Sequence, residues 1–198
     1  MLRDLWPGTL TVKMRILKED GDPAPTVALA KRLEAVGIDG LTIHGRLARM
    51  LYSGPVQCGV IRAVREALAI PVTANGGVFT RTDAMALVEA TGCERVMVAR
   101  GALGNPWLFR ALANGDETPP SREELLDVMR EHIAEMVREY GEKQALILGR
   151  KVISGYLSGR GFPHELRAEV VHLCTWDEFT AFQRRLAVCR WQPPWGNC

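Results

Sequence analysis

The sequence has no apolar run near the roughly 18 residues that a membrane-spanning helix needs. Its opening stretch, Met1 to Gly8, carries no apolar segment of the secretory type, so neither a membrane protein nor a secreted one is expected. No Cys-x-x-Cys pair occurs. The five cysteines (Cys58, Cys93, Cys174, Cys189 and Cys198) are odd in number and widely scattered. That argues against a disulfide framework and against a zinc site, and for reduced thiols in the cytoplasm. No low-complexity tract is present. Charge of either sign is not in excess: 25 Lys and Arg against 23 Asp and Glu leave a net charge of +2. Such a balance neither announces nucleic acid nor excludes it, because patches matter more than totals.

What is present is an ordinary globular composition. With 198 residues, 47% of them hydrophobic, the chain can bury a sizeable core. Length sets a second bound. A complete (β/α)₈ barrel takes about 200 residues by itself, so a chain of this length holding barrel units and anything more holds only part of a barrel.

Residues 9–113 alternate between short β-rich runs and helical patterns. Strands are expected at Thr9–Ile16, Gly40–Gly45, Ile70–Asn75 and Arg95–Arg100, with helices at Pro25–Val36, Val56–Ala69 and Arg81–Thr91 between them. This is the rhythm of βαβ units and a parallel sheet. An internal repeat supports it: EAVGIDGLTIHGR from Glu34 and EATGCERVMVARG from Glu89 share a helix end, a Gly, an acidic turn and a strand closing in a basic Gly-containing loop. Within the strands, Val12, Met14, Leu41, Ile43, Val72 and Ala74 oppose Lys13, Arg15, Thr42, His44, Thr73 and Asn75. A doubly wound sheet buries both faces and reads more uniformly apolar. One face turning polar toward the strands' C-terminal ends suits a barrel with its chemistry at that mouth.

After Leu112 the texture changes. Residues 114–120 (NGDETPP) read as a linker. Ser121 and Glu124 form a capping box at the start of a long helix, with Leu125, Val128, Met129, His132, Ile133, Met136, Val137 and Tyr140 as its apolar stripe. Further helices are expected at about Lys143–Leu157, about His164–His172 and after Thr175, where Glu178 completes a second box. The fold class is therefore α/β, with four βα units resembling the C-terminal half of a TIM barrel in residues 1–113, then an all-α helical bundle domain in residues 121–192. Residues 193–198 form a tail expected to fray.

Several residues can carry chemistry. Lys13, on the polar face of the first strand, either snorkels to water or meets a carboxylate or bound anion. His44 ends the second strand; it is either a hydrogen-bonded structural histidine or a donor to a cofactor oxygen, and Arg46 beside it can neutralise phosphate. Asn75-Gly76-Gly77 is either a tight turn or a backbone cradle for an anion. Ala99-Arg100-Gly101 precedes a short helix and offers amides and a guanidinium to phosphate. Each is weak evidence alone. Together, on neighbouring strand ends, they point to a phosphorylated ligand such as flavin mononucleotide (FMN). Arg150, Lys151 and Arg160 read either as a solvated face or as contacts to RNA phosphates; residues 114–198 carry slightly more acidic than basic side chains.

TVKMRI, LTIHGR with Tyr52 and Gly54 soon after, IPVTANGG and VMVARGALGNPWLF, in this order and spacing, resemble the tRNA-dihydrouridine synthases over residues 9–113. Residues 119–190, with GRKVISGYLSG, resemble that family's helical RNA-binding domain. The resemblance implies a cytoplasmic oxidoreductase that reduces the C5–C6 bond of tRNA uridines, with NADPH as reductant, FMN as carrier and a cysteine as proton donor. It implies that Lys13 and His44 contact the flavin ring system, and that Asn75, Gly76, Gly77, Ala99 and Arg100 hold the FMN phosphate, chiefly through backbone amides. Arg46, Arg150 and Lys151 are the expected RNA contacts. No metal is expected.

The departures from the family pattern are specific. Gly77 stands where the family has Asp, and Ala99 where it has Gly. Cys58 lies in the region of a family Trp, and Gly155 replaces a Trp before Tyr156. The Asn-x-x-Cys-Pro segment bearing the acid cysteine, and the family's first four strands, are expected upstream of Met1. No catalytic residue is therefore named in this chain, and by itself it is expected not to reduce uridine. Self-association through open half-barrel edges is expected instead. Two rival readings are a non-catalytic tRNA-binding remnant and another phosphate-binding barrel enzyme.

Overall fold

The computed structural model describes residues 2–18 and 21–190. They fall into two compact units, Met1–Gly101 and Ala102–Cys198. The expected tail 193–198, and with it Cys198, lies outside the described residues.

The first unit is an α/β layer. Its strands are β1 (Thr11–Arg15), β2 (Gly40–His44), β3 (Val72–Asn75) and β4 (Arg95–Met97), paired in parallel in the order β1-β2-β3-β4. A short helix α1 (Leu2–Leu5) precedes them, and α2 (Ala24–Ala35), α3 (Cys58–Ala67) and α4 (Arg81–Thr91) connect them. The register matters for function. Arg15, His44, Asn75 and Met97 are lateral neighbours in one row across the carboxyl ends of all four strands. Because side chains alternate with period two, the same face carries Lys13, Thr42, Thr73 and Arg95 in the row below.

The opposite face is the core of this unit. Leu41, Ile43, Val72 and Ala74 are buried, as are Ala30, Val60, Ile61, Val64, Ala84 and Leu87 on the three helices. Each fully buried aliphatic side chain contributes roughly 1.5–3 kcal/mol. The Thr80 hydroxyl caps α4 while the Asp83 carboxylate returns to the Thr80 and Phe79 amides, a reciprocal box built with Asp instead of Glu.

The second unit contains α5 (Trp107–Asn114), α6 (Arg122–Tyr140), α7 (Glu142–Leu157), α8 (His164–Glu169) and α9 (Trp176–Val188). Leu125, Met129, Ile133, Leu146, Ile153, Tyr156, Phe179, Phe182 and Leu186 form its buried cluster. Trp107 joins that cluster and meets the Tyr156 ring edge-on at 6.1 Å between centroids. So α5, read from sequence with the strands, lies with the helices. Two further expectations change. Ser121 caps α6 by accepting from the Glu124 amide, but the Glu124 carboxylate does not return to the cap; it accepts from the Trp107 indole N–H at 2.6 Å. Tyr140, expected in the core, is exposed, because it is the last residue of α6 and Gly141 ends the helix immediately beyond it.

Candidate functional site

Parallel strands release their side chains and following loops at one end, and here that end is cationic. A cavity of about 140 Å³ is lined by Lys13 and Arg15 from β1, His44 and Arg46 from the end of β2, Asn75 to Phe79 after β3, and Met97, Ala99 and Arg100 after β4, with Tyr52 at its rim. Among the described residues no carboxylate lines it. All seven residues proposed from sequence as cofactor contacts (Lys13, His44, Asn75, Gly76, Gly77, Ala99 and Arg100) meet there, and Arg46 joins them.

Asn75 is buried and donates its side-chain amide to the Met97 carbonyl at 2.8 Å, which locks the ends of β3 and β4 together. Two glycines let the loops close over the cavity. At Gly76 φ is 135°, and a Cβ would sit 2.9 Å from Val56 Cγ2 and 3.1 Å from the His44 ring. At Gly101 a Cβ would lie 2.2 Å from the Val78 carbonyl oxygen, so only glycine lets the turn after β4 approach the turn after β3.

His44 is buried, with 5% of its surface exposed. Burial, and then the charges of Arg15, Lys13, Arg46 and Arg100, pull its pKa from 6.5 down to about 4. The imidazole is therefore neutral at pH 7. Arg46 has only N–H groups to offer, so in their 3.4 Å contact His44 Nε2 is the acceptor and Nδ1 carries the proton. Burial, with the charges of Arg100 and Arg15, also lowers the pKa of Arg46. Like charges held this close cost free energy unless something negative sits among them. An anion among them would offset that cost.

The sequence reading missed three residues here. Arg15 lies two positions from Lys13 on the same strand face, and that period-two signal was available. Tyr52 enters the sequence reading only as part of the motif after β2, with no role, and nothing in the local pattern marks Phe79, a loop aromatic, as part of a site. Arg150 and Lys151 lie on α7 in the other unit. Arg150 donates twice to the Leu173 carbonyl, at 3.1 and 3.0 Å, and is spent on that loop; Lys151 is exposed. Arg160 is buried, donating to the carbonyls of Gly104 and Tyr156 and to Asn105 Oδ1, so it is not a solvated cation awaiting RNA.

A second cleft of about 390 Å³ lies at the amino-terminal ends of β3 and β4. Its lining balances Arg65 and Arg95 against Glu66 and Glu94, so it lacks the one-signed field of the first.

A parallel α/β layer with a cationic cavity at its strands' carboxyl ends belongs to the class of α/β proteins that place their ligand sites at that end. The family follows from comparison: residues 2–188 match the model of the dihydrouridine synthase (Dus) family, and the chain belongs to it. It is 40% identical over 149 residues to a probable tRNA-dihydrouridine synthase of Rhizobium leguminosarum bv. phaseoli, covering 75% of this chain and 46% of that protein. It is 38% identical over 167 residues to a probable tRNA-dihydrouridine synthase of Rickettsia conorii, covering 81% and 50%. It is 36% identical over 145 residues to tRNA-dihydrouridine synthase B of Pasteurella multocida, covering 71% and 44%. The chain spans about half the length of these curated relatives.

Proposed function

We propose that this chain serves the reduction of uridine to dihydrouridine in tRNA, and that its cavity holds the phosphate end of FMN. The observation that carries this reading is the convergence of Lys13, Arg15, Arg46 and Arg100, with no carboxylate among the described residues of the lining, on the strand ends of a Dus-family chain. The residues fit a phosphate monoester. Its charge offsets the mutual repulsion of the cations. About 140 Å³ is less than the roughly 300–1,000 Å³ of a pocket that encloses a whole drug-sized ligand, which suits an end-group. When bound, FMN supplies hydride to the uridine C5–C6 bond after reduction by NADPH.

The protein's own residues do the holding. Arg100 and Lys13 supply charge, Gly76 and Gly77 supply backbone access, and neutral His44 donates through Nδ1 or accepts at Nε2 without adding a further positive charge. Among the described residues no cysteine lines the cavity. The four-stranded layer is read as part of a TIM barrel, with β1 and β4 as open edges that favour pairing with further strands or a second copy. The helices of residues 121–190 are read as a bundle that binds tRNA, with Lys151 as an available contact. No helix of the described residues is long and apolar enough to cross a membrane; the tRNA substrate puts the site of action in the cytoplasm.

Gel filtration of the purified chain after incubation with FMN tests the reading. The flavin absorption band is expected to travel with the protein, and Lys13→Ala and Arg100→Ala are each expected to release it. A protein that stays colourless at every FMN concentration contradicts it.

A further inference from the structure

We propose that Tyr52 is a positioning residue for the anion site, and that it acts by holding the Arg100 guanidinium in place with its ring; this rests on the anion-site reading above. The four cations of the cavity are not held alike. Arg15 donates to the Leu47 and Leu51 carbonyls, both at 2.8 Å. Arg46 donates to the Gly54 carbonyl at 2.8 Å. Arg100 makes no hydrogen bond or ion pair to another described residue; its contacts are two rings, Tyr52 at 4.0 Å and Phe79 at 5.3 Å from guanidinium carbon to ring centroid. A guanidinium lying over an aromatic face keeps its N–H groups free at the edge of its plane, where a phosphate oxygen binds. The ring removes rotamer freedom from the arginine without consuming a donor, and that ordering would otherwise be charged to anion binding.

The rest of the loop is arranged to keep Tyr52 where it is. Residues 46–54 leave the end of β2, and three of their carbonyls are fixed from the strand ends: those of Leu47 and Leu51 by Arg15, and that of Gly54 by Arg46. The Ser53 hydroxyl and amide both return to the Met50 carbonyl, at 2.8 and 2.9 Å. Arg15 also lies 5.9 Å from the Tyr52 ring. So two cations of the cavity, already satisfied by carbonyls, build the arm that orders the third. Tyr52 is exposed over more than half its surface. Burial does not explain its position in the loop, and its replacement leaves the core untouched.

The test is a double-mutant cycle read by the Kd for inorganic phosphate. This probe has no flavin ring, so direct stacking of Tyr52 on a ligand cannot contribute. Exposed cation–π contacts imply that Tyr52→Leu weakens phosphate binding about three- to fivefold. Tyr52→Phe, which keeps the ring, is expected to stay within about twofold of the parent. Arg100→Ala is expected to weaken binding at least about tenfold, and adding Tyr52→Leu to it is expected to do nothing more. If Tyr52→Leu binds phosphate like the parent while Arg100→Ala is weakened, the positioning role is overturned and the anion site stands. The role is equally overturned if the two losses multiply in the double variant, because Tyr52 then acts independently of Arg100. If Arg100→Ala binds phosphate unchanged, the anion-site reading itself falls.

Discussion

His44 is neutral at neutral pH because it is buried among cations, and this makes it a reporter of the cavity. Its pKa is about 4 in the folded chain and about 6.5 when unfolded. Between those values the unfolded state binds a proton that the native state refuses, so stability falls as the pH drops from about 6.5 toward 4. Urea unfolding at pH 7.5 and pH 5 is expected to show the loss, and His44→Gln to remove much of it. An anion in the cavity cancels the cationic part of the shift. Phosphate is therefore expected to move the His44 imidazole titration, followed by NMR, upward toward 6.5. A titration that phosphate leaves in place contradicts an anion site at this position. At this scale the sequence was informative where chemistry is tied to strand ends. Lys13, His44, Asn75 and Arg100 were legible because period-two alternation and glycine-bearing βα turns mark the mouth of a parallel layer. Tyr52 and Phe79 were not, because what they do depends on where the loop after β4 brings Arg100.

Among the elements, strand and helix existence followed the pattern closely and the ends did not. The strand expected over Thr9–Ile16 is paired only from Thr11 to Arg15, and the one expected over Arg95–Arg100 stops at Met97, where the chain tightens into a short turn of 3₁₀ helix at Arg100–Ala102. Helix α1 went unread because four residues show no periodicity. The Ser121–Glu124 box was half right. A sequence pattern records that Glu124 can reach back to the cap; it does not record that the Trp107 indole competes for the same carboxylate. Packing of α6 on α7 gives a stability test. Ile133 is fully buried, and a Cβ at Gly149 would sit 2.9 Å from Ile133 Cδ1, so the isoleucine fills the space the glycine leaves. Ile133→Ala is expected to cost about 2–5 kcal/mol in urea unfolding. A cost under about 1 kcal/mol would mean that α6 does not pack on α7 as described.

For the whole molecule, composition and charge predicted little. A net charge of +2 gives no sign of a cavity lined by four cations and, among the described residues, by no carboxylate. Periodicity revealed the sheet, and the order of motifs along the chain revealed the family. The division into units was less legible: the composition shift after Leu112 marks a change of texture, while the compact units part at Gly101 because Trp107 packs among the helices. The central claim is that this chain recognises the phosphate of its ligand. Riboflavin and FMN differ only in that group, and calorimetric titration of the 198-residue chain with each isolates its contribution. A phosphate site made of Lys13, Arg15, Arg46 and Arg100 predicts FMN affinity at least about tenfold above riboflavin, with inorganic phosphate competing. Equal affinities for the two flavins, or FMN binding that phosphate leaves unchanged, would contradict it.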